Sequence, residues 1–239
     1  MSIIIENLLR KRISMTAEGK VQSLSGGISL QEAQVIQKII KAHELSICIE
    51  TGVAHGVSTL AICEALAELP STNDKQLYGI DPSQFSEHHG IAVRLLKDHG
   101  FSQLFTLLEG PTHLEAPMLL KAGKKVDFAF IDGFHTFDYS LIDFFFMDKL
   151  LRVGGFLMIH DLPFPAKKKL IRYILTHRRY ELVRTPELEE GVKGRIVRRL
   201  RSIKHRESYW SVQFAQGANM GVFRKIDDFE PDWHFFQNF

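Results

Sequence analysis

A chain of 239 residues with 45% hydrophobic and 24% charged side chains suits one large α/β domain and excludes a disordered, collagen-like or fibrous protein. Its 30 Lys and Arg nearly cancel 28 Asp and Glu, and a net charge of +2 argues against nucleic acid as the main partner. Cys48 and Cys63 sit inside apolar runs, the basic residues 10–12 follow rather than precede the short run Ile3 to Ile5, and no stretch approaches the roughly 20 apolar residues of a membrane span, so neither a disulfide framework nor a signal peptide nor a membrane protein is expected, but a cytoplasmic one.

One domain over 1–239 is expected, with 1–28 as an N-terminal extension. The apolar positions Ile4, Ile5, Leu8 and Leu9, together with the aromatic tail Trp233, Phe235, Phe236 and Phe239, are hard to hide in one core and suggest a homodimer. Ser29-Leu30-Gln31-Glu32 has the spacing of a capping box, and Ala33, Ile36, Ile39 and Ile40 follow at helical intervals, which predicts a helix to about Glu44. Strands are predicted near 45–50, 77–80, 105–108, 126–131 and 156–159, separated by segments long enough for helices. That alternation implies a mainly parallel sheet covered on both faces. After Tyr180 the rhythm changes, and 180–183 and 219–224 read as a terminal antiparallel strand pair. Between them, 187–215 is an insertion whose basic run 193–206 spaces Ile196, Val197, Leu200 and Ile203 as an amphipathic helix, either a solvated face or a contact to the substrate.

The stretch Glu50-Thr51-Gly52-Val53-Ala54-His55-Gly56-Val57-Ser58 joins a strand to a helix, where parallel sheets bind ligands. Its Gly-x-x-x-Gly spacing lacks the Gly-x-Gly-x-x-Gly that seats a dinucleotide pyrophosphate, which turns the reading away from nicotinamide cofactors. Asp81 ends the next strand, where a carboxylate can accept hydrogen bonds from both hydroxyls of a ribose. Asp132 and Asp161 end later strands at the same rim of the sheet, and His135 follows Asp132 in a loop that faces the ligand.

The loop resembles motif I of class I methyltransferases, and most closely that of small O-methyltransferases with a Glu-x-Gly-x-x-x-Gly-x-Ser loop. The blocks Val126-Asp127-Phe128-Ala129-Phe130-Ile131-Asp132-Gly133-Phe134-His135 and Leu150 to Asp161 resemble motifs IV and V of the same family. The resemblance implies a doubly wound, mainly parallel seven-stranded sheet. It also implies S-adenosyl-L-methionine as cofactor, contacted by Glu50, Thr51, Gly52, Val53, Ala54, Gly56, Ser58, Asp81, Pro82, Glu109, Gly110, Pro111, Asp132 and Gly133. Pro111 stands where the family commonly has an acidic or polar side chain. A small-molecule or sugar-containing acceptor is implied, with Asp132, His135 and Asp161 as catalytic residues and His135 as general base. Relatives hold a divalent cation such as Mg²⁺ at the positions of Asp132 and Asp161, although Leu162 replaces the Asn that completes their site; His135 or His160 could serve instead. Otherwise His160 reads as buried and hydrogen bonded. Rival readings are a nucleic-acid methyltransferase, a non-catalytic cofactor-binding protein and a metal-dependent hydroxylase of the same fold.

Overall fold

The computed structural model describes residues 3–72, 74–188 and 219–239, so the basic run 193–206 lies outside the described residues. Near the N-terminus α1 (Ile3–Lys11) is followed by a small antiparallel hairpin, β1 (Ile13–Met15) and β2 (Val21–Ser23). Then α2 (Leu30–Ala42) begins with the predicted capping box: Glu32 N–H donates to Ser29 Oγ at 3.3 Å, and Ser29 N–H to Glu32 Oε2 at 2.6 Å. Strands and helices alternate thereafter as β3 (Ile47–Thr51), α3 (Val57–Glu68), β4 (Gln76–Ile80), α4 (Ile91–Asp98), β5 (Phe105–Leu108), α5 (Thr112–Lys121), β6 (Val126–Ile131), α6 (Phe137–Leu150), β7 (Leu151–His160), α7 (Pro165–His177), β8 (Tyr180–Val183) and β9 (Met220–Lys225).

Seven strands form one sheet in the order β5-β4-β3-β6-β7-β9-β8. Only β9 runs against the rest, pairing antiparallel with both β7 and β8, so the expected terminal pair and the doubly wound fold are both present. The chain leaves β3 towards β4 and β5, then returns to lay β6 on the other side of β3. A crevice opens at the carboxyl ends of strands where the winding reverses in this way. Every residue of β6 is buried, as a central strand covered on both faces requires. Phe128 and Phe130 face the core under α2 and α3, while Ala129 and Ile131 face the core under α5, α6 and α7.

Two expectations change. Ile5 and Leu8 of α1 are buried, and Ile4 and Leu9 pack against the same core, so this apolar face is covered within the chain and gives no argument for a second copy. At the other end Phe239 lies against Tyr173 and His177, with ring centroids 5.3 Å from each, although Trp233 and Phe236 remain exposed. Strand β7 starts at Leu151, five residues before the predicted Phe156, because its first turn of chain continues the ladder beside Val126. Among the described residues no helix is long and apolar enough to cross a membrane.

Gly52 and Gly123 both have positive φ, but a Cβ at Gly52 would overlap the Asp132 backbone whereas one at Gly123 would meet nothing within 4 Å. Gly123→Ala should therefore cost about 1–2 kcal/mol for the left-handed backbone alone. Gly52→Ala should add roughly 1–3 kcal/mol of overpacking. Thermal unfolding of both variants checks this, at roughly 2–4 °C per kcal/mol for a chain of this size. Equal melting temperatures would contradict it.

Candidate active site

The cleft is assembled where the ends of three strands touch. Asp132 N–H donates to the Thr51 carbonyl at 2.9 Å, and Gly52 N–H donates to Ile80 at 3.0 Å, which fixes the ends of β3, β4 and β6 to one another. Gly52, at φ +83°, allows this because the Asp132 carbonyl carbon lies only 2.6 Å from where its Cβ would stand. Past it the loop turns at Ala54, also at positive φ, and enters α3 through Gly56, where a Cβ would come within 2.7 Å of Ala92. Ala54 N–H donates to Asp81 Oδ2 at 2.7 Å, and Ser83 N–H to Asp81 Oδ1 at 2.8 Å. The buried Asp81 carboxylate thus ties the glycine loop to the end of β4 and keeps a second lone pair on each oxygen for a ligand.

Two cavities meet at this junction, one of about 250 Å³ and the other of about 320 Å³. The first lies over the ends of β3 to β6, between Asp81, Pro82, Pro111, Thr112, Gly133, Tyr139 and Asp143. The second lies between the start of α3, the segment Ser25 to Gly27, and the side chains of His160, Asp161 and Asn219. Gly52, Ala54, Asp132 and His135 line both. Of the residues expected at the cofactor, Thr51, Gly52, Val53, Ala54, Gly56, Ser58, Asp81, Pro82, Pro111, Asp132 and Gly133 line one cavity or both. Glu50, Glu109 and Gly110 do not. Glu50 lies beneath the loop, where its carboxyl group accepts hydrogen bonds from the hydroxyls of Ser58 and, at 2.7 Å, Thr59.

The acidic rim differs from a simple pair of aspartates. Register pairs Ile131 with Ile159, so Asp132 stands level with His160, and Asp161 lies one residue beyond at φ +58°. His160 Nδ1 is 3.0 Å from Asp132 Oδ1 and 3.5 Å from Asp161 Oδ2, while Nε2 faces Glu32 Oε1 at 3.4 Å and the Asn219 amide at 2.9 Å. Burial opposes charging this ring, but the carboxylates of Asp132, Asp161 and Glu32 outweigh it and push its pKa up to about 12. The Asn219 amide nitrogen faces Nε2, and the same side chain hydrogen-bonds Asp161. His135 Nε2 lies 3.3 Å from Asp161 Oδ2, and its ring stacks on Phe164 with centroids 4.6 Å apart. The hydrogen bond from His160 holds the Asp161 carboxyl below the usual range.

Residues 49–162, from β3 to just past β7, match the family described as a methyltransferase domain. The fold of the chain is similar to that of an O-methyltransferase from Bacillus cereus solved in complex with SAH, at 14% identity over 93% of this chain and 90% of that one, with a TM-score of 0.57. The O-methyltransferase TomG of tomaymycin synthesis from Streptomyces achromogenes, in complex with SAM, gives 17% identity over 84% and 82%, with a TM-score of 0.54. Cofactor-bound Rv0187 from MTB gives 16% identity over 66% and 73%, with a TM-score of 0.57. At these identities the likeness establishes the fold alone. Among curated proteins the sequence finds no match.

Sequence reasoning missed Asn219 and the segment Ser25 to Gly27 as cleft residues, and Glu32 as a partner of His160. Glu32 was visible only as a capping residue, and that role hides its second contact with His160. The buried Glu50 also supplies a pH test. Burial, partly offset by the Ser58 and Thr59 hydroxyls, pushes Glu50 up to about 8 from an ordinary value of 4.5. A carboxyl raised in the fold favours folding below its unfolded pKa, and that contribution is lost as pH rises from 4.5 through 8. Glu50→Gln should therefore gain stability on the wild type across this window, by at most about 1.4 kcal/mol per pH unit, and level off above it. Chemical unfolding at several pH values tests this; parallel pH profiles for the two proteins would reject it.

Proposed function

We propose that the chain is an S-adenosylmethionine-dependent O-methyltransferase for the hydroxyl group of a small-molecule or sugar-containing acceptor, with His135 as general base. The observation that carries this reading is the shared wall of the two cavities, where His135 and its Asp161 partner stand beside the glycine loop and Asp132. The cavity under Asp81, with Pro82 and Pro111 as apolar walls, suits a nucleoside whose ribose hydroxyls donate to that carboxylate. The other, at the start of α3, suits the amino-acid half of the cofactor, since unpaired N–H groups of a helix N-terminus favour a carboxylate.

Bound there, S-adenosylmethionine supplies an electrophilic methyl group on a sulfonium. The work of the protein is to align the acceptor and take its proton. With its Nε2–H donated to Asp161, His135 presents Nδ1 as the acceptor for the hydroxyl proton, and Asp161 stabilises the imidazolium that results. Phe164 keeps the ring in plane.

A second reading adds a divalent cation, on the strength of one observation: ligand atoms of Asp132, His160 and Asp161 all lie within 4.8 Å of one another. A donor set with one imidazole suits a transition metal better than Mg²⁺. His160 Nδ1 must then give up its contact with Asp132, and the metal would help deprotonate the acceptor.

Calorimetry should show S-adenosylmethionine or its demethylated product binding, and Asp81→Asn should weaken it at least tenfold. His135→Ala should keep that affinity while turnover on a hydroxyl acceptor falls about 10²–10⁴-fold, the usual range for a general base. Failure of the wild type to bind either ligand would falsify the proposal. For the second reading, chelator should abolish turnover and Mn²⁺ or Zn²⁺ restore it; turnover indifferent to chelator leaves His135 to act without a metal.

A further inference from the structure

Lys167 occupies a place that is unfavourable twice over. It has no exposed surface, and it stands in the first turn of α7, where the positive end of the helix dipole repels a cation. Both effects lower the proton affinity of its amine, yet the surroundings are acidic: Asp143, Asp132 and Asp161 all attract the ammonium. Its Nζ points at the Phe134 carbonyl, 3.5 Å away. Phe134 belongs to the loop that carries His135, and beside that loop lies the buried Asp143, to which Thr51 Oγ1 donates at 3.2 Å. Only a glycine at 133 lets the Asp143 carboxylate lie so close, because a Cβ there would come within 2.7 Å of Oδ2. The loop 132–135 is therefore flanked by the Asp143 carboxyl of α6 and the Lys167 amine of α7, while Phe164, at the head of α7, stacks on the His135 ring.

We propose that Lys167 is a positioning residue for the methyl transfer: its buried ammonium anchors the Phe134 carbonyl and screens the surrounding carboxylates, so that the loop presents His135 over Asp161 in one geometry. The proposal rests on His135 acting as the base. A buried charge that served only to stabilise the fold would be a poor choice, since apolar residues of similar volume commonly do so as well or better. Met has that volume without the charge, and Arg keeps the charge.

The test begins with the wild type and His135→Ala, which decide the underlying reading by themselves. In Lys167→Met kcat should fall at least tenfold with KM for cofactor and acceptor within twofold, and Lys167→Arg should recover most of the loss. Amide hydrogen exchange of residues 133–136 should accelerate in Lys167→Met and not in Lys167→Arg, a readout that needs no turnover. If Lys167→Met is too unstable to assay, Lys167→Met/Asp143→Asn removes the stranded carboxylate and is read against Asp143→Asn alone. The proposal is overturned by unchanged kcat and exchange in folded Lys167→Met, by KM rising as much as kcat falls, by an equal loss in Lys167→Arg, or by unfolding of the double variant.

Discussion

Everything at the cleft depends on one close approach, that of the Gly52 backbone to the Asp132 backbone. The sheet reverses its winding between β3 and β6, and the two strands must end side by side for a crevice to open there at all. A side chain at position 52 would push the Asp132 carbonyl away and with it the loop bearing Gly133, Phe134 and His135. The glycine thus does more than permit a left-handed turn. It sets the separation between the glycine loop and the loop that carries His135, in a part of the protein where displacements of an ångström matter.

Around this contact the charges are arranged so that few are left without a counterpart. Asp132 and Asp161 face the His160 ring, Glu32 approaches the same ring from α2, and Lys167 lies below the loop with Asp143. Buried carboxylates this close would repel one another or take up protons. Asp143 moves in that direction, its carboxyl raised by burial, while Asp161 is held low by its hydrogen bond from His160. Neighbouring acids therefore keep different protonation preferences, which is what a site that must accept a proton at one point and stay ionised at another requires.

Much of the fold was legible because apolar runs in central strands have few alternatives. Phe105–Leu108, Val126–Ile131 and Tyr180–Val183 lie where the sequence predicts them. The N-terminal helix and hairpin were not legible: β1 and β2 have three residues each with exposed ends, and the run Ile3 to Ile5 is too short to show a helical period. At the cleft, Gly52, Asp81 and Asp132 were legible because they follow strands directly, and His135 because it lies in the short loop after one. Lys167 could not, since Lys167-Lys168-Lys169 reads as a solvated basic patch. A signal was nevertheless present: Lys167, Leu170, Ile171 and Ile174 fall at the spacing of a buried helical stripe, and all four are buried. His160 was expected to be buried and hydrogen bonded, as it is, but its position level with Asp132 depends on a strand register that no run of residues reveals.

Glu32 joins two requirements of different kinds in one side chain. One carboxylate oxygen closes the cap of α2 and the other approaches His160. The cap accepts Gln as readily as Glu, because either reaches back to the Ser29 N–H. The contact with an imidazolium does not, because it needs the charge. Selection for folding alone would let this position drift between the two residues, whereas selection for the acidic rim would hold it at Glu. The first turn of an ordinary surface helix therefore carries a record of which of those pressures has acted.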